Sequence, residues 1–330
     1  MLRRFSILLC VLLVSACDRP KMVALDGQTM GTTYSIKVYA KDVDGAALQK
    51  AIDAELLHVN QLMSTYMPDS ELSRFNRAPV GQWFKVSTEM TKIIKLSGEI
   101  YKLSGGAYDI TVGPLVNLWG FGPLPMSGKI PSDAAIAAAR ARVGFDKLSI
   151  RDSSLRRDAD IYVDLSSVAK GYGVDQVAEL LARRGYKNYL VEIGGELRAH
   201  GVNDRGEAWR IAIERPDVTD RAPFTTIGVK DMSIATSGDY RNYFEVDGKR
   251  YSHEIDPVTG RPVTHSLASV TVLAPTDARA DAFATAIYVM GPQKGMALAE
   301  QQNLPVFVIL KTSDGFVEKH SSAFKAYLND

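Results

Sequence analysis

The chain has 330 residues, 46% hydrophobic and 23% charged, with a formal net charge of +1. That composition excludes a disordered or fibrous chain and describes a globular protein with one large core or two tightly joined ones. Near-balanced charge also leaves no basic excess of the kind that marks a nucleic-acid binder.

Arg3 and Arg4 precede FSILLCVLLVSA, an apolar run too short for an ordinary membrane span that ends in small residues before Cys17. This is the pattern of a secretory signal over residues 1–16. Val14, Ser15, Ala16 and Cys17 resemble a bacterial lipobox, so Cys17 is expected to carry lipid on its sulfur and its new N-terminus, holding the protein on a membrane surface. Cys10 leaves with the signal, which leaves no pair for a disulfide. Cleavage also removes two arginines, leaving 37 basic against 38 acidic side chains. Residues 17–26 read as a lipidated tether and 27–330 as the folded domain. Asp18 after the lipid site resembles an inner-membrane retention signal, which points to the periplasmic side of that membrane.

TTYSIKVYA at 32–40 alternates as a half-buried strand does, and residues 46–63 carry apolar positions at helical spacing. A further helix runs from the cap candidates Ser87 and Thr88 to a stop at Gly105 and Gly106. PSDAAIAAARARVG predicts a short helix, and SSVAKGYGVDQVAELLARRG a longer one opened by Ser166 or Ser167. From about 188 to 273 short β-branched and aromatic runs alternate with Gly, Pro, Asn and Asp, which predicts mainly strands. A helix after Thr276 and Asp277, a second near 292–302 and the strand PVFVIL complete the chain. Helices and strands partly segregate, so the expected class is α+β, with mixed, largely antiparallel sheets and packed helices.

The sequence lacks a Walker A loop, HExxH, a CxxC pair and GxSxG, and its five histidines are not spaced as zinc ligands. Within RADAFATAIYVMG, Asp281 and Thr285 interrupt an otherwise apolar helix and lie four apart, on one face. An ionised carboxylate there is costly unless a cation or hydrogen-bond donors meet it. Gly171 and Gly173 weaken a helix, so something packs or binds close to that backbone. Gly194 and Gly195 after the run VEI suggest a strand bulge.

The motifs MGTTY, STYMPDSELSRFN, YDITVGPLVNLWGFG, VDLSSVAKGYGVD, VEIGGELRAHG, ATSGDYRNYF, YSHEIDPVTGRPV and ADAFATAIYVMG follow one another along the chain. In content and order they closely resemble the ApbE family of FAD:protein FMN transferases across nearly the whole mature chain. The resemblance implies a magnesium-dependent transfer of FMN from FAD to a threonine or serine hydroxyl of a target protein, with release of AMP. It implies a metal held by Asp281, Thr285 and the backbone carbonyl of Ala169, which are the hard oxygen ligands magnesium selects. It further implies FAD contacts at Met30, Arg74, Phe75, Asn76, Asp109 and Tyr172, with Lys170 as a phosphate partner. His253, in YSHEIDPVTG, is the candidate base for the acceptor hydroxyl, because an imidazole suits proton removal at working pH. Asp281 is the alternative base, though a metal-bound carboxylate suits that role poorly. Family acceptors are flavin-carrying subunits of membrane electron-transport complexes. The competing expectations are an FAD pyrophosphatase that gives FMN and AMP, and an FAD-binding lipoprotein without chemistry.

Overall fold

The alternating run at 32–40 forms β2 (Thr32–Ala40), with Tyr34, Ile36 and Val38 buried, paired antiparallel with β1 (Lys21–Thr29). Met30 and Gly31 join them with positive φ values of 50° and 72°, the geometry of a tight hairpin whose twist matches its strands. In this computed structural model the described residues are 19–123, 129–216, 222–239 and 242–328, so the signal and Cys17 lie outside them. β1 begins at Lys21, inside the stretch read as tether.

Helix α1 (Gly45–Met63) starts where Asp44 accepts from the Ala47 N–H, and buries Leu48, Ile52, Leu56 and Val59. Two elements were not foreseen in the next stretch: α2 (Glu71–Arg77), capped by Ser70, and the short β3 (Phe84–Lys85). In α3 (Thr88–Leu103) Ser87 caps through the Met90 N–H, as the sequence predicts, and Gly105 and Gly106 end it with positive φ. Then come α4 (Gly113–Leu118), α5 (Asp133–Arg140), the hairpin of β4 (Leu148–Arg151) and β5 (Ser154–Arg157), and α6 (Ala169–Arg183). Neither expected serine caps α6. Ser166 bonds to Asp164 and Ser167 to Tyr108, and the residue at the cap, Val168, makes no side-chain cap bond.

The strand-rich half runs β6 (Tyr189–Ile193), β7 (Glu196–His200), β8 (Trp209–Glu214), β9 (Pro223–Val229), β10 (Met232–Gly238), β11 (Tyr243–Val246), β12 (Lys249–Ser252), β13 (Ile255–Asp256), β14 (Arg261–Pro262) and β15 (Leu267–Ala274). Helix α7 (Asp277–Gln301), β16 (Val306–Thr312) and β17 (Gly315–His320) follow. Gly194 and Gly195, read as a bulge, form instead the turn between β6 and β7, with φ values of 61° and 101°. A hairpin of that length needs two residues at positive φ, which glycine adopts without strain.

One eight-stranded sheet, ordered β1-β2-β6-β7-β10-β15-β16-β17, organises the molecule, and all its neighbours are antiparallel. Helices α1, α6 and α7 cover one face, while the β8–β9 hairpin and Phe324 pack with residues of the other. Coverage on both sides explains why all eight residues of β15 are buried, with Val270 and Val272 in the helical core and Leu273 in the core under the hairpin. Helix α7 has a kink at Gly291, before Pro292, which separates the two helices that the sequence predicts.

Candidate active site

A cleft of about 1190 Å³ opens where α1, the start of α6, the β6–β7 turn, the end of β10 and α7 meet. Asp281 and Thr285 line it from α7, Ala169 and Lys170 from α6, Met30 from the first hairpin, Asp109 from the segment after α3, and His253 from beyond β12. The sequence-predicted metal residues, the candidate base, two of the six FAD contacts and the phosphate partner Lys170 therefore converge.

Four other residues do not line the cleft. Arg74 is exposed on α2, and Phe75 is in the core, edge-on to Phe84. Asn76 spends its amide on Val163, donating to its carbonyl at 2.8 Å and accepting from its N–H at 2.9 Å. Tyr172 packs in the core below the helix. Phe75, Asn76 and Tyr172 are buried and Arg74 is exposed, and none of the four lines the cleft. Asp109, although in the cleft, also braces the wall, accepting from the Thr111 N–H and hydroxyl and from the Phe145 N–H.

Asp281 is 4% exposed, and its Oδ2 accepts from the Gly171 N–H at 3.1 Å. Gly171 permits this contact. A Cβ at that position would lie 2.6 Å from the Asp277 carbonyl oxygen, and one on Gly173 would lie 2.9 Å from the tip of Met30. The two glycines therefore serve close packing of α6 on α7 and on the first hairpin. The start of α7 is fixed by Asp175 of α6, which accepts from the Asp277 and Ala278 N–H groups at 2.9 and 3.0 Å and pairs with Arg198 at 2.5 Å. Thr276, the residue at the cap position, makes no side-chain cap bond.

Carboxylates outnumber cations in this region. Burial pushes the Asp281 carboxyl up to about 7, and Glu196 adds to the effect against Lys170 and the Gly171 N–H. Asp277, fully buried with neither carboxylate oxygen partnered, is held well above the ordinary range by burial and then by Glu196, Asp175 and Asp281. Glu254 is likewise raised by burial, with His253 and Lys170 opposing. Lys170, the expected phosphate partner, is ion-paired with buried Glu196. Burial works against its charge, yet Glu196 and Asp281 together hold its pKa above the usual lysine value.

Also lining the cleft, His253 has its Nδ1 3.1 Å from the Asn242 carbonyl oxygen. A carbonyl can only accept, so Nδ1 carries the proton and Nε2 the lone pair in the neutral ring. Nε2 lies 3.7 Å from the Glu254 carboxylate, and the ring meets Phe121 edge-on. Phe121, Phe244, Tyr251 and Trp119 pack ring on ring behind it. Glu196, Glu254 and Ser237, whose hydroxyl is 3.3 Å from that of Thr285, join the cleft without having been singled out for the site. The signals available were their places beside the glycine pair, His253 and Gly238.

Among the described residues no three His, Cys, Asp or Glu side chains converge as a metal cage. The donors present suit a different arrangement. A buried carboxylate with a hydroxyl one turn on, amid excess negative charge, fits a hard divalent cation that takes its remaining oxygens from a substrate's phosphates and water.

Residues 30–308 match the ApbE family. The chain is 50% identical over 323 residues to an FAD:protein FMN transferase of Vibrio cholerae serotype O1, covering 97% of both chains. It is 41% identical to the FAD:protein FMN transferase of Escherichia coli K12, covering 98% of this chain and 97% of that one. The solved structure of the flavin transferase ApbE from Vibrio cholerae superposes with a TM-score of 0.88 at 49% identity, covering 94% of this chain and 100% of that one. The Pseudomonas stutzeri flavinyl transferase ApbE, in its apo form, gives 0.87 at 40% identity over 93% and 97%. The chain belongs to the ApbE family.

Proposed function

From that membership we propose that the chain is an FAD:protein FMN transferase, which moves the FMN half of FAD onto a hydroxyl of an acceptor protein. The observation that carries this reading is near-full-length identity to enzymes of that name, joined to one cleft that brings together Asp281, Thr285 and His253. The oxygen of the acceptor hydroxyl bonds to the FMN phosphorus as the bond from that phosphorus to the bridging oxygen breaks. AMP leaves with the bridging oxygen. The hydroxyl proton passes to His253 Nε2, whose free lone pair the Asn242 carbonyl secures by holding the proton on Nδ1.

Magnesium is the cation proposed for the acidic wall, held by Asp281, Thr285 and the carbonyl of Ala169. When bound it would neutralise charge on the pyrophosphate, which phosphoryl transfer requires more than covalent catalysis. Glu196 keeps Lys170 charged beside the same wall, and Asp109 and Asn76 hold the backbone around it. The acceptor residue is proposed to be threonine, on an extracytoplasmic subunit of a membrane electron-transport complex.

The anchor rests on sequence alone. A charged start, an apolar run and small residues lead to Cys17, and among the described residues no helix is long and apolar enough to cross a membrane. The proposed place is the periplasmic face of the inner membrane, tethered through Cys17. Cys17→Ser should release the protein from membranes in a fractionation, and full retention would refute the anchor. The activity is tested by incubating the protein with FAD, magnesium and candidate acceptors. A fluorescent flavin band that survives denaturation, and an FMN mass on one threonine peptide, are expected. Free FMN and AMP with no labelled acceptor would indicate a hydrolase.

A further inference from the structure

Strand β8 pairs with β9 and, among the described residues, with no other strand, so from Trp209 to Ile213 one of its two edges has no sheet partner. Its side chains alternate. Ile211 and Ile213 are buried in the core under the hairpin, while Arg210 and Ala212 are exposed. Nevertheless Ile211, Ala212 and Ile213 all line the cleft. Successive side chains of a strand leave on opposite faces, so a cavity that meets three in a row runs along the strand's edge. The same cavity reaches His253, Asp281 and Thr285.

We propose that the free edge of β8 is the acceptor-docking site: an extended segment of the acceptor protein adds to it as a third strand and delivers its hydroxyl to the reacting phosphorus. The proposal rests on the transferase reading and specifies how the protein substrate is held. Continuity with the cleft chooses the occupant, because the acceptor is the one macromolecule whose backbone must come within reach of both His253 and the acidic wall. Strand addition supplies affinity through main-chain hydrogen bonds, which depend little on sequence. It also sends alternate side chains to opposite sides, so one row faces the reacting groups and the other faces solvent. An uncovered strand edge invites unwanted pairing, and placing this one inside a cleft limits access to a thin, extended chain.

The test uses a pool of unstructured peptides, each with one central threonine flanked by Gly, Ala and Ser, incubated with the enzyme, FAD and magnesium. Peptide-bound FMN is read by mass. Strand docking expects labelled peptides. In the best of them, N-methylation of successive backbone amides should cut labelling about tenfold or more at every second position and little between, the effect of losing one hydrogen bond at a time. The Thr→Val form of that peptide, which cannot react, should slow amide exchange in β8 without changing bound-flavin fluorescence. Uniform tolerance of N-methylation, or protection elsewhere but not in β8, would overturn the proposal. Protection of β8 by FAD alone, or protection that rises with enzyme concentration, would assign the edge to the flavin or to a second copy and overturn it too. FAD bound with no peptide labelled would overturn strand docking and leave the flavin site standing. Failure to bind FAD at all would overturn the transferase reading itself.

Discussion

The backbone N–H of Gly171 donates to the carboxylate of Asp281 across the contact between α6 and α7. At its contact with Asp277 a side chain on Gly171 would strike backbone, which cannot swing aside, whereas one on Gly173 would meet the flexible end of Met30. Gly171→Ala should therefore cost about 1–3 kcal/mol, the range for overpacking a close contact, and weaken magnesium binding as Asp281 shifts. Gly173→Ala should cost less. Urea unfolding with a magnesium titration checks both, and equal effects of the two substitutions would contradict the packing account.

Asp281→Asn should abolish transfer yet raise the thermal midpoint of the metal-free protein at pH 8. Burial pushes this carboxyl from its ordinary value of 3.8 up to about 7 in the fold. Between about 4 and 7 the folded chain keeps a proton that the unfolded chain has released, so this group lowers stability as pH rises through that window. Asparagine carries no such charge. The gap between variant and wild type should narrow toward pH 5, and a variant less stable than wild type at pH 8 would show that the carboxylate is compensated in the absence of metal.

Thr285→Ala should weaken magnesium binding less than Asp281→Asn does, because a neutral hydroxyl contributes less than a carboxylate to a hard cation. Thr285→Ser keeps the oxygen and should restore affinity. Isothermal titration with magnesium and FAD ranks the three, and no recovery with serine would remove the hydroxyl from the ligand set.

His253→Ala should reduce the transfer rate by about 10²–10⁴-fold, the usual contribution of a general base, and change FAD affinity little. Single-turnover kinetics beside a fluorescence titration separates the two quantities. A parallel loss of both would make His253 a binding residue.

Asp175→Ala should be the most destabilising of these substitutions, at about 3–5 kcal/mol. It would leave the Asp277 and Ala278 N–H groups unpaired and the Arg198 charge without its partner. Denaturant unfolding measures it, and a cost below about 1 kcal/mol would mean that water satisfies those groups.

Where local chemistry decides the structure, the sequence could be read. Ser87 caps α3, alternation places β2, and a carboxylate and hydroxyl within an apolar helix mark the acidic wall before any contact is known. Features that depend on distant partners could not be read this way. The cap of α7 comes from Asp175 of another helix and the partner of Lys170 is Glu196 of β7, so neither spacing nor propensity reveals them. Asn76 sits in a family motif, yet its amide is consumed by Val163. Motif membership marked the neighbourhood, and the hydrogen bonds determine which side chains face the cleft.

Neighbouring strands β2 and β6 are adjacent in the sheet, with Tyr34 opposite Ile193, while α1 through α6 lie between them in the chain. The first hairpin must therefore wait, its partner edge uncovered, until the middle of the chain arrives to pair with it. Closing so long a loop delays the rewarding contacts, so the sheet should assemble slowly and late. During that interval β2 is an adhesive surface, and the yield of native protein will depend on how well the chain is kept from its own copies.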